Sequence, residues 1–213
     1  MILAARDIEK RFEHRVILNR ATLALHPGEV VLLVGANGSG KTTLARIMST
    51  MLRADRGSLT LDGTPVEKRL IQSRRAIGFA SHRPFLYLGL TPIENLEFFG
   101  RLSGLKDARA RASRQLERFG MTPFANTPVD CFSRGMLQRV ALLRALQGEP
   151  SVLLLDEPYA GLDDDGTATL NAFLIEARDR GAATLVISHD RDRVATLHPR
   201  ICAIRAGKVE ERP

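Results

Sequence analysis

The chain has 213 residues, 44% of them apolar, and its 31 Lys and Arg outnumber 24 Asp and Glu for a net charge of +7. At roughly 100–200 residues per domain this is one domain or a core with a subdomain, and its apolar share argues against disorder. No apolar run approaches the roughly 18 residues that span a bilayer, and the mixed charges of MILAARDIEKRF are unlike a signal peptide, so a soluble, cytoplasmic protein is expected rather than a secreted one or a channel.

Along the chain, residues 2–12 and 16–25 read as antiparallel strands. Pro27-Gly28 turns into residues 29–34, a continuous apolar run of the kind buried on both faces of a sheet. GANGSG follows, then KTTLARIMSTML as a helix. Residues 58–61 form a strand closed by the hairpin-type turn Asp62-Gly63, and residues 77–80 a short strand. From 92 to 148 the pattern is helical, broken at Gly104, at Gly120 and around 123–128. Its start is the densest basic stretch, Arg101 to Arg118, a solvated surface or an anion-facing one; it has no interleaved aromatics and no nucleic-acid signature. Residues 152–156 are a second buried strand. Residues 164–180 form a helix with Leu170, Phe173, Leu174 and Ala177 on one face. Residues 184–188 and 201–205 supply the last strands. Alternation of this kind predicts an α/β fold, a mainly parallel sheet with helices on both faces, interrupted by an inserted helical segment. Cys131 and Cys202 lie far apart with no CxxC, so neither a disulfide framework nor a zinc site is expected, and both read as small buried apolar residues.

The chemistry concentrates at two strand ends. Gly35-Ala36-Asn37-Gly38-Ser39-Gly40-Lys41-Thr42 matches G-x-x-x-x-G-K-[ST] between a buried strand and a helix start. Glycines there let successive N–H groups face one anion, and the positive helix end adds to the field. Gly35, Asn37, Gly38, Ser39, Gly40, Lys41, Thr42 and Thr43 are the candidate nucleotide ligands. Lys41 is expected to reach the β- and γ-phosphates and the Thr42 hydroxyl to ligate Mg²⁺. This motif alone says nucleoside triphosphate and leaves kinases, GTPases and recombinases open, although the absence of N-K-x-D lowers the GTPase reading. VLLLDEP places Asp156 at the carboxyl end of a buried strand, where it can hold Mg²⁺ directly or through water. Glu157 follows, able to polarise a water as general base or by orienting it. Ser133 can cap the helix after it while Gly135 keeps the first turn free of bulk, giving a second anion-binding helix start or a capped helix and nothing more.

Taken in order, these motifs resemble the ATP-binding cassette (ABC) ATPases over essentially the whole chain. GANGSGKT resembles Walker A, FSRGMLQR the LSGGQ signature, LLLDEP Walker B with its catalytic glutamate, AGLD at 160–163 the D-loop, and ISHD the switch-histidine segment. The resemblance implies an ATP-binding core with an antiparallel β subdomain at 1–82 and 151–213, and a helical signature subdomain at 83–150. It implies ATP hydrolysis with ATP and Mg²⁺, in a head-to-tail homodimer that sandwiches two ATP molecules. Ser133 and Gly135 would then contact the γ-phosphate of the other copy, His189 that of its own, and Asp163 would link the two sites. Phe12 stands where the family places an aromatic on adenine, though it can equally be a packing residue.

Two positions depart from the pattern. His82 stands at the Q-loop glutamine, where an imidazole could ligate or water-bridge Mg²⁺ or simply be a surface histidine. Arg134 and Met136 alter the signature. The length, His82 followed by HRPFLY…LTPIENLEFF, and S-x-G-M-x-Q-R are similar to the haem-exporter ATPases of cytochrome c maturation. That resemblance implies an integral-membrane permease partner, a peripheral position on the cytoplasmic face of the inner (cell) membrane, and no nucleic-acid partner. Phe85, Leu86, Tyr87, Leu88, Phe98 and Phe99 would belong to the permease-docking face or to the helical core. The alternatives are the ATPase of a drug or polysaccharide exporter, a nucleic-acid-acting ABC ATPase, and a small-molecule P-loop kinase that leaves Ser133, Asp163 and His189 unexplained.

Overall fold

A computed structural model describes residues 2–211; the limits of the expected core at 1 and 213 lie outside the described residues. Strand β1 (Leu3–Phe12) pairs antiparallel with β2 (Arg15–Leu25), Leu3 opposite Leu25 and Phe12 opposite Arg15. The all-buried β3 (Val30–Val34) leads through the glycine loop into α1 (Lys41–Met48). Strands β4 (Arg56–Leu61) and β5 (Thr64–Pro65) follow, then a single 3-10 turn, α2 (Leu70–Ala76) and β6 (Ile77–Ala80). Three helices come next: α3 (Pro92–Leu102), α4 (Ala108–Arg118) and α5 (Arg134–Leu146). The chain then returns through β7 (Val152–Asp156), α6 (Asp164–Asp179), β8 (Ala183–Ile187), α7 (Arg191–Ala195), β9 (Arg200–Arg205) and β10 (Lys208–Glu211).

The strands make two sheets, a four-stranded one in the order β2-β1-β4-β5 and a six-stranded one in the order β10-β9-β3-β8-β7-β6. In the larger sheet β9, β3, β8, β7 and β6 run parallel, and β10 closes one edge as an antiparallel hairpin. The continuous apolar runs of β3 and β7 are explained by the period of a strand, because successive side chains face opposite sides. Val30, Leu32 and Val34 enter the core shared with α5 and α6, and Leu153 and Leu155 join them. Val31 and Leu33 enter the core shared with α1 and the antiparallel sheet, as do Val152 and Leu154. Both faces are therefore covered, and because β3 and β7 run parallel, the strand ends that bear Gly35 and Glu157 emerge at the same edge of the sheet, with β8 between them.

Several local expectations need correction. Helix α1 stops at Met48 because Thr50 takes a left-handed φ of 62° and its N–H turns back to Ile47 O (2.9 Å). Strand β10 went unread because Lys208, Glu210 and Glu211 are exposed and only Val209 packs inward. Helix α2 buries only Ser73 and so carries no apolar period. Cys202 is buried as expected, but Cys131 is exposed, at the end of a short 3-10 turn where its thiol donates to Asp130 Oδ1 at 3.4 Å. The basic stretch is ion-paired: Arg109 to Glu97, Arg111 to Glu149, Arg114 to Asp107 and Arg118 to Glu176.

Candidate active site

Strand β3 delivers the glycine loop to the start of α1. Gly40 occupies the N-cap with φ 108°, a left-handed conformation that L side chains avoid, and contributes no side chain to the first-turn N–H groups. A Cβ there would stand 2.8 Å from Leu18 Cδ2, so β2 packs directly behind the loop. Lys41 is nearly buried, and its ammonium donates to Gly35 O (2.8 Å) and Ala36 O (3.0 Å), which hold it under the curled backbone. Ser39 Oγ is buried without a partner, an orphaned polar atom inside the loop.

Across from the loop, β7 ends in Asp156, only 4% exposed. The Thr42 hydroxyl donates to Asp156 Oδ2 at 2.7 Å, joining the phosphate loop to the carboxylate strand. Glu157 is the first residue beyond the strand. Its φ of 53° is left-handed, and its N–H donates to Ile187 O at 2.8 Å, so the backbone holds the side chain at the sheet edge. Burial raises the Glu157 carboxyl above its ordinary range; nearby His189 opposes that rise and Asp156 adds to it. His189 Nε2 lies 3.5 Å from Glu157 Oε1.

These groups share an open cleft of about 570 Å³. Its floor carries Asn37, Gly38, Gly40, Lys41, Thr42 and Thr43. Asp156, Glu157 and His189 form one wall, and His82 stands beside them at the position expected for the Q-loop residue. Phe12 also lines the cleft and is 47% exposed, so it is an edge aromatic and not a core one. Gly35 and Ser39 line the adjoining hollow, again with His189. Arg15 and Ile17, which the sequence reading did not single out, complete the Phe12 side. Their only signal was position, just after the tight turn that follows Phe12.

Three further expected residues line neither the cleft nor the adjoining hollow. Ser133 caps α5, its Oγ accepting from Met136 N at 3.3 Å. Gly135 packs so closely on the loop before α6 that a Cβ would lie 3.0 Å from Gly161 O. Asp163 caps α6 by accepting from Gly166 N (2.9 Å) and pairs with Arg139 Nη2 (2.9 Å). The Gly166 N–H first, then the Arg139 guanidinium, hold its carboxyl below the usual range. Ser133, Gly135 and Asp163 thus gather where the start of α5 meets the loop before α6, and none of them lines the cleft of Lys41 and Asp156.

The donor set of the cleft fits a triphosphate with a hard cation. A held ammonium, free helix-start N–H groups and the orphaned Ser39 hydroxyl suit phosphate oxygens. The Thr42 hydroxyl and the Asp156 carboxylate are oxygen ligands already in contact, as Mg²⁺ prefers.

Comparison with known proteins agrees with that chemistry. Residues 18–160 match the family model described as ABC transporter. The chain is 34% identical over 210 residues to the ABC transporter ATP-binding protein NatA of Bacillus subtilis, covering 95% of this chain and 85% of that protein. It is 36% identical over 203 residues to the daunorubicin resistance ATP-binding protein DrrA3 of Streptomyces coeruleorubidus, covering 94% of this chain and 64% of that one. Among solved structures, the dimeric post-hydrolysis state of the ATP-binding cassette MJ0796, bound to ADP and Pi, superposes with a TM-score of 0.89 at 26% identity over 100% of both chains.

Proposed function

The chain belongs to the ABC transporter family as an ATP-binding, ATP-hydrolysing subunit, and from that premise we propose that it works as a homodimer driving an integral-membrane permease, with haem export in cytochrome c maturation as its task. The Thr42–Asp156 hydrogen bond carries the reading of the site, because it ties the phosphate loop to the carboxylate strand. Lys41 and the loop N–H groups bind the β- and γ-phosphates, and Phe12 stacks on the adenine. Thr42 and Asp156 would hold Mg²⁺, which when bound supplies neutralisation of the charge between the transferring and leaving oxygens. Glu157 orients the attacking water and accepts its proton, and His189, its Nε2 3.5 Å from Glu157 Oε1, contacts the γ-phosphate of the same copy. The Ser133–Gly135–Asp163 cluster serves the triphosphate of the partner copy. That accounts for why none of its residues lines the cleft.

Two features support haem export over other transport in this reading. His82 lines the cleft at the position of the Q-loop glutamine, and the motif it opens, HRPFLY…LTPIENLEFF at 82–99, resembles the haem-exporter ATPases. Tyr87, Leu88 and Phe98 of that segment, with Leu102 just beyond it, are exposed, and Tyr87 and Phe98 are in edge contact at 5.1 Å between centroids. This is the aromatic composition of an interface, and we assign it to the permease. Among the described residues no helix is long and apolar enough to cross a membrane, in keeping with a peripheral subunit on the cytoplasmic face. Drug export is the second reading, favoured by the likeness to DrrA3. The deciding experiment deletes the gene and assays holo-cytochrome c. Loss of haem attachment, restored by the wild type and not by Lys41→Ala, is the expected result. Intact cytochromes with lost drug tolerance would replace the haem reading by the second one.

A further inference from the structure

The loop that carries Asp163 and the segment that carries His189 are tied together behind the cleft by a polar network. Arg193 of α7 donates from Nη1 to Tyr159 O (3.2 Å) and to Leu162 O (3.0 Å), both in the loop between Glu157 and Asp163. Its Nε lies 3.1 Å from Oδ2 of Asp190, the residue that follows His189. The Asp190 side chain in turn accepts from the Arg193 N–H (3.2 Å). Asn171 of α6 completes the arrangement. Its Nδ2 donates to Arg193 O (2.8 Å) and Thr196 Oγ1 (3.0 Å), and its Oδ1 accepts from the Tyr159 hydroxyl (2.7 Å). Tyr159 and Asn171 are both buried.

We infer that Arg193 is a positioning residue for ATP hydrolysis, fixing the Tyr159–Leu162 backbone to the segment of His189 so that Glu157, His189 and Asp163 keep one relative placement. The inference rests on the functional reading above. Its physical content is the geometry of the guanidinium. One planar group serves two loop carbonyls with one nitrogen and a carboxylate with another, which a lysine ammonium on a flexible stem does not reproduce. Charge-assisted bonds to two successive turns of one loop remove that loop's freedom to slide. His189 is exposed, and among the described residues Glu157 is the carboxylate that approaches its ring, at 3.5 Å, so its position depends on the backbone that Asp190 and Arg193 hold. A catalytic group displaced by about 1 Å can lose on the order of a hundredfold in rate while substrate binding persists.

The test measures steady-state ATP hydrolysis, thermal stability and the imidazole NMR signals of His189 in the full chain. For Arg193→Ala, kcat is expected to fall by about tenfold to a hundredfold with KM for ATP within about twofold of wild type, and the His189 signals are expected to move. Arg193→Lys should restore less than half of the lost kcat. Should Arg193→Ala fail to fold, Tyr159→Phe loosens the same network by one hydroxyl, with a kcat loss of a few-fold and a smaller displacement of the His189 signals. An unchanged kcat, full rescue by lysine, or His189 signals that stay in place in the folded variant would overturn the inference. A wild-type chain without ATPase activity would instead refute the functional reading, and the NMR comparison would still decide whether Arg193 places His189.

Discussion

Thr42 has two neighbours to satisfy: a phosphate loop behind it and a nearly buried carboxylate before it. Its 2.7 Å hydrogen bond keeps Asp156 from being an unpaired buried anion. Thr42→Ala is expected to lower stability by about 1 kcal/mol and to weaken Mg²⁺-dependent nucleotide binding by about tenfold, whereas Thr42→Ser retains the hydroxyl and stays close to wild type. Denaturant melts and nucleotide titrations with and without Mg²⁺ read both effects. Glu157 shows a different tension, since its left-handed φ of 53° is a cost tolerated for the sake of placement. Glu157→Gly is expected to be about 1 kcal/mol more stable than Glu157→Ala, and both should hydrolyse ATP at background rates while still binding it. Equal melting curves for the two variants would remove strain from the account. Most of these residues could be found by motif, because a phosphate loop and a carboxylate strand impose local spacing. Arg15, Ile17 and Arg193 could not be, since they reach the site or its support through contacts between segments distant in the chain.

Elements reveal which physical signals a sequence carries well. Strands β3 and β7 announced themselves because both faces of each bury apolar residues. Helix α6 did so through its 3.6-residue period, and Gly104 and Gly120 ended helices where expected, each with positive φ. The elements that went unread, α2, α7 and β10, bury too little to leave a pattern. Cys131 was misplaced because composition describes the average cysteine and not one at a turn. Strand β9 shows what an ion pair adds to a ladder. Its first residue, Arg200, reaches Glu29 beside β3, the carbonyl of Ala24 in β2 and Glu211 in β10. Burial alone would raise the Glu29 carboxyl; the Arg200 hydrogen bond, with the His26 N–H, outweighs it and holds the group below its ordinary range. A lowered folded value means that the stabilisation is complete above the ordinary glutamate range and disappears as pH falls through the folded value. Acidification from neutral pH should therefore cost the wild type more stability than it costs Arg200→Ala. At neutral pH the variant is expected to be about 2 kcal/mol less stable, between the values for exposed and buried pairs. Urea titrations at several pH values give both quantities, and parallel losses in the two proteins would contradict the assignment.

At the scale of the molecule, the proposed function pairs the cleft of Lys41 and Asp156 with the Ser133–Gly135–Asp163 cluster of a second copy, and in the described residues that cluster does not line the cleft. Glu157→Gln with ATP and Mg²⁺ is expected to accumulate as a dimer in light scattering, while the same protein with ADP stays smaller. A monomer in both conditions would argue against shared sites. The aromatic face at Tyr87, Leu88, Phe98 and Leu102 calls for a second experiment. Leu88→Asp is expected to reduce co-purification with the permease by about tenfold, with ATP hydrolysis by the isolated subunit little changed. The expectation that Ser133 and Gly135 serve another copy came from the order of the motifs, whereas the Gly135–Gly161 approach and the Arg139–Asp163 pair belong to the folded chain and not to any motif.

The contact between Gly135 and Gly161 has a mechanical consequence. A Cβ on either would come to 3.0 Å or 3.1 Å from the backbone of the other, so neither segment has slack against its neighbour. The start of α5 and the loop ahead of α6 must advance or retreat together, like two sides of one cog tooth. In the dimer proposed above, any push delivered to the helical face would reach the neighbouring copy's triphosphate through both at once.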